Sequence, residues 1–312
     1  MAVTDADAHA PAAKPAARTS GWRRARRRLG MLYAAPTAIY VLVFFVLPLL
    51  LVVRMSAGNW TLLSGDRGLN FPNNYTAILK NSLFWPAVAF TVEYTVIVTI
   101  LLIGLGLGLA LLVQESGRWT GFLRTSFLLP GAIGLATASL LFWGFYSPTI
   151  GPVSPPLQAV GVIHQPIQFL LTSLSALLST TFLIVWKFAG FYMLILLVGL
   201  QAIPSEVYEA AAIDGASRWQ TLRRVTLPLL RPSLALALIL CITGSLLAFD
   251  QFYILTKGGP DNTTVTVVQL IYREAFQRQN LGTAAALSII VLLVLLVINV
   301  VQFRGLRSAE RG

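Results

Sequence analysis

Long apolar runs dominate the pattern of hydrophobic and polar positions along this 312-residue chain. A membrane-spanning helix needs about 20 consecutive, mostly apolar residues. One charge-free stretch, from Thr125 to Trp186, is too long for a single span, and the prolines at 148, 152, 155 and 156 divide it. The pattern therefore predicts six transmembrane helices, at about 29–53, 88–113, 122–146, 177–203, 234–255 and 283–303.

The composition also indicates a membrane protein. Hydrophobic residues make up 56% of the chain and charged residues only 11%, whereas a soluble domain typically carries about 25% charged residues. The net charge of +11 does not indicate a nucleic-acid partner, because the long apolar runs leave no room for a basic face. The single cysteine, Cys241, excludes a disulfide framework and a cysteine-based metal site. The expected surroundings are a lipid bilayer.

The placement of Lys and Arg predicts the orientation of the helices. Of the 23 such residues, 16 fall before the first helix, in the second-to-third and fourth-to-fifth connections, or in the tail. Six fall in the other connections, and Lys187 lies inside a span. Because positive residues collect on the cytoplasmic side, both termini are expected to be cytoplasmic.

Three regions follow from this pattern. Residues 1–28 are rich in Ala and Pro and then in Arg, so we expect a disordered, basic cytoplasmic N-terminus that binds acidic headgroups. Residues 29–303 form the transmembrane domain, and residues 304–312 form a cytoplasmic tail. The longest cytoplasmic connection, residues 204–232, lies between the fourth and fifth helices.

This connection has the pattern of two short helices. The first opens at Pro204 and Ser205 and ends at Asp214–Gly215, because glycine tolerates the left-handed conformation at a helix C-terminus. Ser217 and Gln220 form a capping box for the second helix. That helix is expected to stop before Pro228, which lacks the backbone N–H needed to continue it.

The same connection resembles the EAA motif of ABC importer permeases. The matching positions are Glu209-Ala210-Ala211, Gly215, Val225 and Leu227-Pro228, with Val225 where Ile is usual. In that family the segment is the coupling helix, which docks on the ATP-hydrolysing subunit. The resemblance implies that Glu209 is a polar anchor, Gly215 the turn, and Ala210 and Ala211 the close-contact face. The full expected coupling set is Glu209, Ala210, Ala211, Asp214, Gly215, Leu227 and Pro228.

Two further segments resemble the carbohydrate permeases of the maltose, glycerol-3-phosphate and lactose type. Residues 249–264 are similar to the exit of their fifth helix, and residues 73–85 to the segment before their second helix. The resemblance implies an all-α, polytopic subunit with six transmembrane helices in a bacterial plasma membrane. It would form half of a heterodimeric pore with a sister permease, two ATP-binding cassette subunits and an extracellular solute-binding protein.

The chain itself carries no phosphate-binding loop. Such a loop needs a Lys that follows Gly, and none of the four lysines does. We therefore expect no enzymatic activity and no cofactor on this chain, with MgATP bound and hydrolysed by the partner subunits.

Candidate solute contacts lie in the later helices. A charge at the centre of a membrane costs about 2.5–3.5 kcal/mol, so Lys187 and Asp250 should face protein or water. Lys187 has two open interpretations, an ion pair with Asp250 or Glu93, and contact with substrate. Carboxylates and amides can bind sugar hydroxyls while aromatic rings stack on the sugar. The candidate pathway residues are Lys187, Tyr192, Phe249, Asp250, Gln251 and Tyr253.

Two other classes of protein remain as alternatives. An ion-coupled secondary carrier or channel would act without an ATPase, but it leaves the connection at 204–232 unexplained. An intramembrane enzyme would need a cluster of His, Asp, Glu or Cys, and these residues are scattered. Whether the solute is a sugar, a polyol or a phosphodiester is open at this point.

Overall fold

The fold is taken from a computed structural model, which describes residues 33–115 and 117–309. The predicted disordered segment 1–28, the first residues of the first predicted helix and the last three residues of the tail lie outside this range. The chain divides into two units, one up to Leu51 and one from Val52 onward. In the first unit, residues 33–51 are helical throughout, with a π-helical turn at Leu42–Val46, and none of their side chains is buried.

The elements follow one another in a regular order. The first helix, α1, runs over Tyr33–Ala57. An antiparallel hairpin of β1 (Gly58–Thr61) and β2 (Gly65–Leu69) follows, and then α2 (Asn73–Lys80), α3 (Phe84–Leu112), α4 (Arg118–Ala132), α5 (Leu135–Phe145) and α6 (Ser154–Ala159). The remaining helices are α7 (Ser173–Gln201), α8 (Ser205–Ile213), α9 (Arg218–Thr221), α10 (Leu227–Leu229), α11 (Arg231–Leu246), α12 (Asp250–Leu255), α13 (Val267–Tyr272) and α14 (Leu281–Ala309).

Within the described residues, five helical stretches are long and apolar enough to cross a membrane: α1, α3, α7, the stretch Arg231–Leu255, and α14. The pair α4 and α5 also passes when it is taken as one broken span, which brings the number to six. The predicted all-α class with six transmembrane helices is therefore confirmed.

The third predicted helix, at 122–146, is wrong as a continuous element. Its two halves, α4 and α5, meet at a bend of 94°. Pro130 lies inside α4 and removes one backbone donor, and Ile133 and Gly134 then adopt extended ψ angles. The fifth predicted helix is likewise interrupted, between Leu246 and Asp250.

Small residues let the core helices approach closely. At Gly106 of α3, an added Cβ would lie 3.0 Å from Cβ of Tyr192 on α7. A Cβ added at Gly190 of α7 would lie 2.0 Å from the carbonyl oxygen of Phe127 on α4. The buried core between these helices contains Tyr94, Val98, Leu183, Met193, Leu196 and Phe252.

Polar side chains hold the loops at the end of the bundle where α3 begins. The buried Asn74 donates through its amide to the carbonyls of Ser56 (2.9 Å) and Gly58 (2.8 Å). Glu274, also buried, accepts from Asn81 (2.8 Å) and forms an ion pair with Arg278 (2.7 Å). These contacts join the hairpin, α2 and the loop after α13 into one cap.

Candidate functional site: a pocket among the helices and an exposed connecting segment

A pocket of about 320 Å³ lies among α3, α7, α11 and the start of α12. Four of the predicted pathway residues line it, namely Tyr192, Phe249, Asp250 and Gln251. Most of the remaining wall is aliphatic or aromatic. The pocket is therefore an apolar cleft with a few polar groups at one end, which is the usual composition of a small-molecule site.

The polar end of the pocket results from the break between α11 and α12. The helix stops at Leu246, and the freed carbonyl of Ala248 accepts a hydrogen bond from the Thr266 hydroxyl at 2.7 Å. Because this contact satisfies the broken backbone, the chain can restart at Asp250. The break places Phe249, Asp250 and Gln251 on the pocket wall.

Two acceptor groups at this end have no partner among the residues that the structure describes. Gln251 is only 3% exposed, and its amide nitrogen donates to the Tyr94 hydroxyl at 3.1 Å. Its amide oxygen is buried and unpaired, and the half-buried Asp250 carboxylate also makes no hydrogen bond within this part of the chain. An unpaired buried acceptor costs about 1–3 kcal/mol, so this end of the pocket favours a ligand with hydroxyl donors.

Sequence reasoning missed Tyr94 as a pocket residue. It follows Glu93, whose charge drew attention, but it lies on the opposite, buried face of α3. Because one residue advances a helix by 100°, the exposed Glu93 and the buried Tyr94 point in different directions.

Lys187 is neither in the pocket wall nor in an ion pair within the described residues. Its side chain is buried, with the residue 4% exposed, and its Nζ donates to the carbonyls of Gly131 (3.3 Å) and Ile133. The ion pair with Asp250 or Glu93, one of the two open interpretations, is therefore not formed within the described residues. The bend after α4 leaves backbone carbonyls without helical donors, and the ammonium group satisfies them at the negative end of the helix dipole.

Tyr253 also lies outside the pocket, in an aromatic cluster with Phe249, Tyr272 and Phe276. The Phe249 and Tyr253 rings stack with centroids 5.1 Å apart, and the hydroxyls of Tyr253 and Tyr272 share a hydrogen bond of 3.2 Å. Phe276 packs on Tyr272 with centroids 5.1 Å apart. Tyr272 and Phe276 were not predicted, although their spacing of four residues places them on one helix face.

The connecting segment, residues 204–230, has the predicted arrangement of two short helices. α8 ends at Ile213, and Gly215 adopts φ +73°, a conformation that glycine accommodates without strain. The backbone N–H of Ala216 closes the turn by donating to the carbonyl of Ala211 at 3.0 Å. Ser217 and Gln220 form the predicted capping box, with hydrogen bonds of 2.7 and 3.3 Å.

The second helix does not stop before Pro228, and this prediction is wrong. A π-helical turn at Leu222–Thr226 follows α9, and Leu227 donates its N–H to the carbonyl of Leu222. Pro228 then lies in the first turn of α10, where its missing N–H is not needed. The proline therefore marks a change in hydrogen bonding rather than a helix end.

The exposure of the motif residues differs from one position to the next. Glu209, Ala210, Asp214 and Gly215 are exposed, and Leu227 and Pro228 are half-buried. Ala211 is buried against its own chain. Of the two alanines, Ala210 is therefore the one whose side chain lies on the surface of this chain.

Three large apolar side chains of this segment are exposed, of which Leu229 is 49% exposed. Ile213 is 87% exposed and Trp219 is 66% exposed. The motif gives no information about either position. Ile213 and Trp219 are the most exposed of the three, which makes them candidate contacts for a partner protein.

The spanning helices, the broken third span, the pocket and the exposed connecting segment define a polytopic membrane subunit for solute transport. The chain belongs to the family described as "Binding-protein-dependent transport system inner membrane component", whose profile matches residues 102–304. It is a multi-pass permease subunit of an ABC importer in the inner membrane.

Curated relatives and solved structures agree with this assignment. The chain is 34% identical over 289 residues to the trehalose/maltose transport system permease protein MalF of Thermococcus litoralis, covering 92% of this chain and 96% of that protein. It is 32% identical over 275 residues to the multiple sugar-binding transport system permease protein MsmF of Streptococcus mutans, covering 87% and 93%. A chain of a bacterial alginate ABC transporter, solved in complex with an alginate pentasaccharide-bound periplasmic protein, superposes with a TM-score of 0.78 at 25% identity, covering 90% of this chain and 95% of that one.

Proposed function

We propose that this chain forms half of the translocation pathway for a sugar or sugar-like solute and passes the energy of ATP hydrolysis to it through the connecting segment. The other half comes from a sister permease, and two ATP-binding cassette subunits bind and hydrolyse MgATP. An extracellular solute-binding protein delivers the solute, and both termini of this chain are cytoplasmic. The observation that carries the proposal is the exposure of Ile213, Trp219 and Glu209 on the connecting segment.

The connecting segment has the features of a docking surface. Burying an exposed isoleucine contributes about 1.5–3 kcal/mol, so Ile213 and Trp219 favour a protein partner over water. Glu209 is exposed on α8, the same short helix as Ile213, and its charge favours a partner surface of opposite charge. The left-handed turn at Gly215 sets the angle between the two short helices. The segment then continues through α10 into α11, which lines the pocket.

A sugar is the solute that best fits the pocket. Several relatives carry sugar transport in their names, and the alginate transporter is solved with an oligosaccharide on its periplasmic protein. The pocket supplies the Asp250 carboxylate and the Gln251 amide oxygen as acceptors for hydroxyl groups, and the rings of Tyr192 and Phe249 as flat apolar surfaces. The ion-coupled carrier gains no support from this arrangement, because it assigns no role to the exposed connecting segment.

The docking role is tested by Ile213→Asp and Glu209→Lys in the co-expressed complex. Both variants should insert normally but lose co-purification of the ATPase subunit, or stimulation of ATP hydrolysis by loaded binding protein. Ile150→Asp is the matched control, because Ile150 is 78% exposed but lies in the connection between α5 and α6. Normal association and stimulation in both variants would exclude the connecting segment as the docking surface. Uptake that persists without ATP and follows an ion gradient would instead support the carrier.

The pocket is tested by Asp250→Asn, which keeps the shape of the side chain and removes its charge. Uptake should fall while the ATPase subunit remains associated, because Asp250 lines the pocket and is not part of the exposed connecting segment. Asp261→Asn, at an exposed position outside the pocket, is the control. Uptake at the wild-type rate in Asp250→Asn would remove this carboxylate from the pathway.

A further inference from the structure

A row of aromatic rings connects the pocket wall with the surface of the chain. Its four rings are those of Phe249, Tyr253, Tyr272 and Phe276, and the centroids of rings in contact lie 5.0–5.4 Å apart. Phe249 lines the pocket, whereas Phe276, at the far end of the row, is 56% exposed. We call these four residues the aromatic track.

The track leads from the pocket toward the cap that the hairpin and α2 form. Thr266, which precedes α13, donates to the carbonyl of Ala248 at the break beside the pocket (2.7 Å). At the far end of the same segment, the Glu274 carboxylate accepts a hydrogen bond from Asn81 in the cap (2.8 Å). Phe276 follows Glu274 by two positions. The exposed end of the track therefore lies near the cap, which faces the outside in the proposed orientation.

Hydrogen bonds of Arg273 hold the two short helices of the track together. Its guanidinium donates to the carbonyl of Lys257, just after α12, at 2.9 Å and to Oδ1 of Asn262 at 2.7 Å. Lys257 and Asn262 both adopt left-handed conformations, with φ of +52° and +60°, which few residues other than glycine adopt. These contacts fix the loop after α12 against α13, so the rings on the two helices keep their positions relative to one another.

The track differs from the aromatic residues of the core in its exposure. Tyr94 and Phe252, which pack in the core beside the pocket, are 1% and 0% exposed. The four track residues are half-buried or exposed. Part of each ring is therefore free of contact with the described residues of this chain and can contact a ligand.

The middle of the track carries a polar group with unused hydrogen-bonding capacity. The hydroxyls of Tyr253 and Tyr272 lie 3.2 Å apart, so one of them donates and the other accepts. The accepting hydroxyl keeps its own proton, for which the described residues provide no acceptor. A ligand with hydroxyl groups can accept this proton, whereas a lipid acyl chain cannot. The combination of flat apolar rings with hydroxyl groups therefore favours a sugar over a lipid.

We propose that the aromatic track is a second sugar-binding subsite, which receives the solute at the outer surface and passes it to the pocket. The apolar C–H face of a sugar ring packs first on Phe276 and Tyr272 and finally on Phe249, and the sugar hydroxyls bind the Tyr253–Tyr272 pair. The subsite rests on the proposed function, because it takes the same solute as the pocket. It extends that function by assigning the entry route to Tyr272 and Phe276.

Fluorine NMR of the purified complex tests binding at the track. With para-fluorophenylalanine in place of Phe276, the fluorine resonance should shift when maltose, trehalose or lactose is titrated into the sample. The same label in place of Phe249 reports on the pocket wall. The label in place of Phe303 is the matched control, because Phe303 is 58% exposed but lies near the other end of α14.

The two labelled positions separate this proposal from the proposed function. A shift at position 249 without one at position 276 would overturn the track and leave the pocket in place. The absence of a shift at both positions with all the sugars would overturn the track and also count against a sugar as the solute of the pocket. An equal shift at position 303 would show that the sugars act on exposed rings in general, which would overturn a specific subsite.

Transport measurements test whether the solute passes along the track. Phe276→Leu keeps an apolar side chain but removes the ring, whereas Phe276→Trp keeps an aromatic surface. In proteoliposomes, Phe276→Leu should lower the number of sugar molecules imported per ATP hydrolysed by about threefold or more, as expected for the loss of one aromatic contact. Phe276→Trp should remain close to the wild type, and both variants should keep ATP hydrolysis that is stimulated by loaded binding protein.

Two results would overturn the role in transport. One is the same ratio of sugar to ATP in Phe276→Leu, Phe276→Trp and the wild type. The other is a failure of Phe276→Leu to assemble, with a normal ratio in the complexes that do form, because Phe276 would then pack against the sister permease rather than the solute.

Discussion

Gly190 lies where α7 crosses α4, and replacing it with alanine should push the two helices apart. The added Cβ would lie 2.0 Å from the carbonyl oxygen and 2.5 Å from the carbonyl carbon of Phe127. Ordinary contacts of a Cβ begin near 3.4 Å, so the backbone of α4 must retreat by about 1.4 Å. A backbone carbonyl cannot rotate away as a flexible side chain would.

The expected loss of stability is about 1–3 kcal/mol, the usual cost of overpacking a core. Alanine gains up to about 1 kcal/mol over glycine in a helix, which offsets part of this loss. Gly104→Ala isolates that gain, because its added Cβ meets no atom within 4 Å. The retreat of α4 should also disturb the contact between Lys187 and the carbonyls at the bend, and with it the position of Leu135 in the pocket wall.

Thermal unfolding of the purified complex measures the loss of stability. Uptake per complex measures the disturbance at the bend and in the pocket wall. Gly190→Ala should unfold at a lower temperature than the wild type and transport more slowly, whereas Gly104→Ala should match or exceed the wild type in stability. If the two variants unfold at the same temperature, the close approach of α4 and α7 at Gly190 is not part of the working structure.

Two further predictions concern the bend and the orientation. Lys187→Met should lower both uptake and thermal stability, because it leaves the carbonyls of Gly131 and Ile133 unpaired. Lys187→Arg should retain much of both, because arginine keeps the hydrogen-bond donors. Equal losses in the two variants would exclude the role of Lys187 as the donor to these carbonyls. A cysteine at position 158, in place of Gln158, should react with an impermeant thiol reagent from outside, and one in place of Ala216 should react only after lysis. The background should be low, because the native Cys241 is 1% exposed. The reverse pattern would reject the predicted orientation.

The spans and the connecting segment could be predicted from the sequence because their signals are local. Transfer of about 20 apolar residues into a bilayer depends on those residues alone. The turn at Gly215 and the capping box of Ser217 and Gln220 likewise involve neighbours within five positions. The sequence also singled out Asp250, which lines the polar end of the pocket, because a charged residue within an apolar helix requires a polar surface wherever the helix packs.

Only the tertiary structure decided the features that depend on distant partners. The bend after Pro130 is held by Lys187, which is more than fifty positions away. The local apolar pattern does not contain this contact, and it therefore predicted one continuous helix. The same bend explains why Lys187 binds carbonyls instead of Asp250 or Glu93, because the unpaired carbonyls exist only once the helix is broken. The burial of Ala211 and the exposure of Ile213 were equally inaccessible, since a motif gives residue types but not the face that the rest of the chain covers.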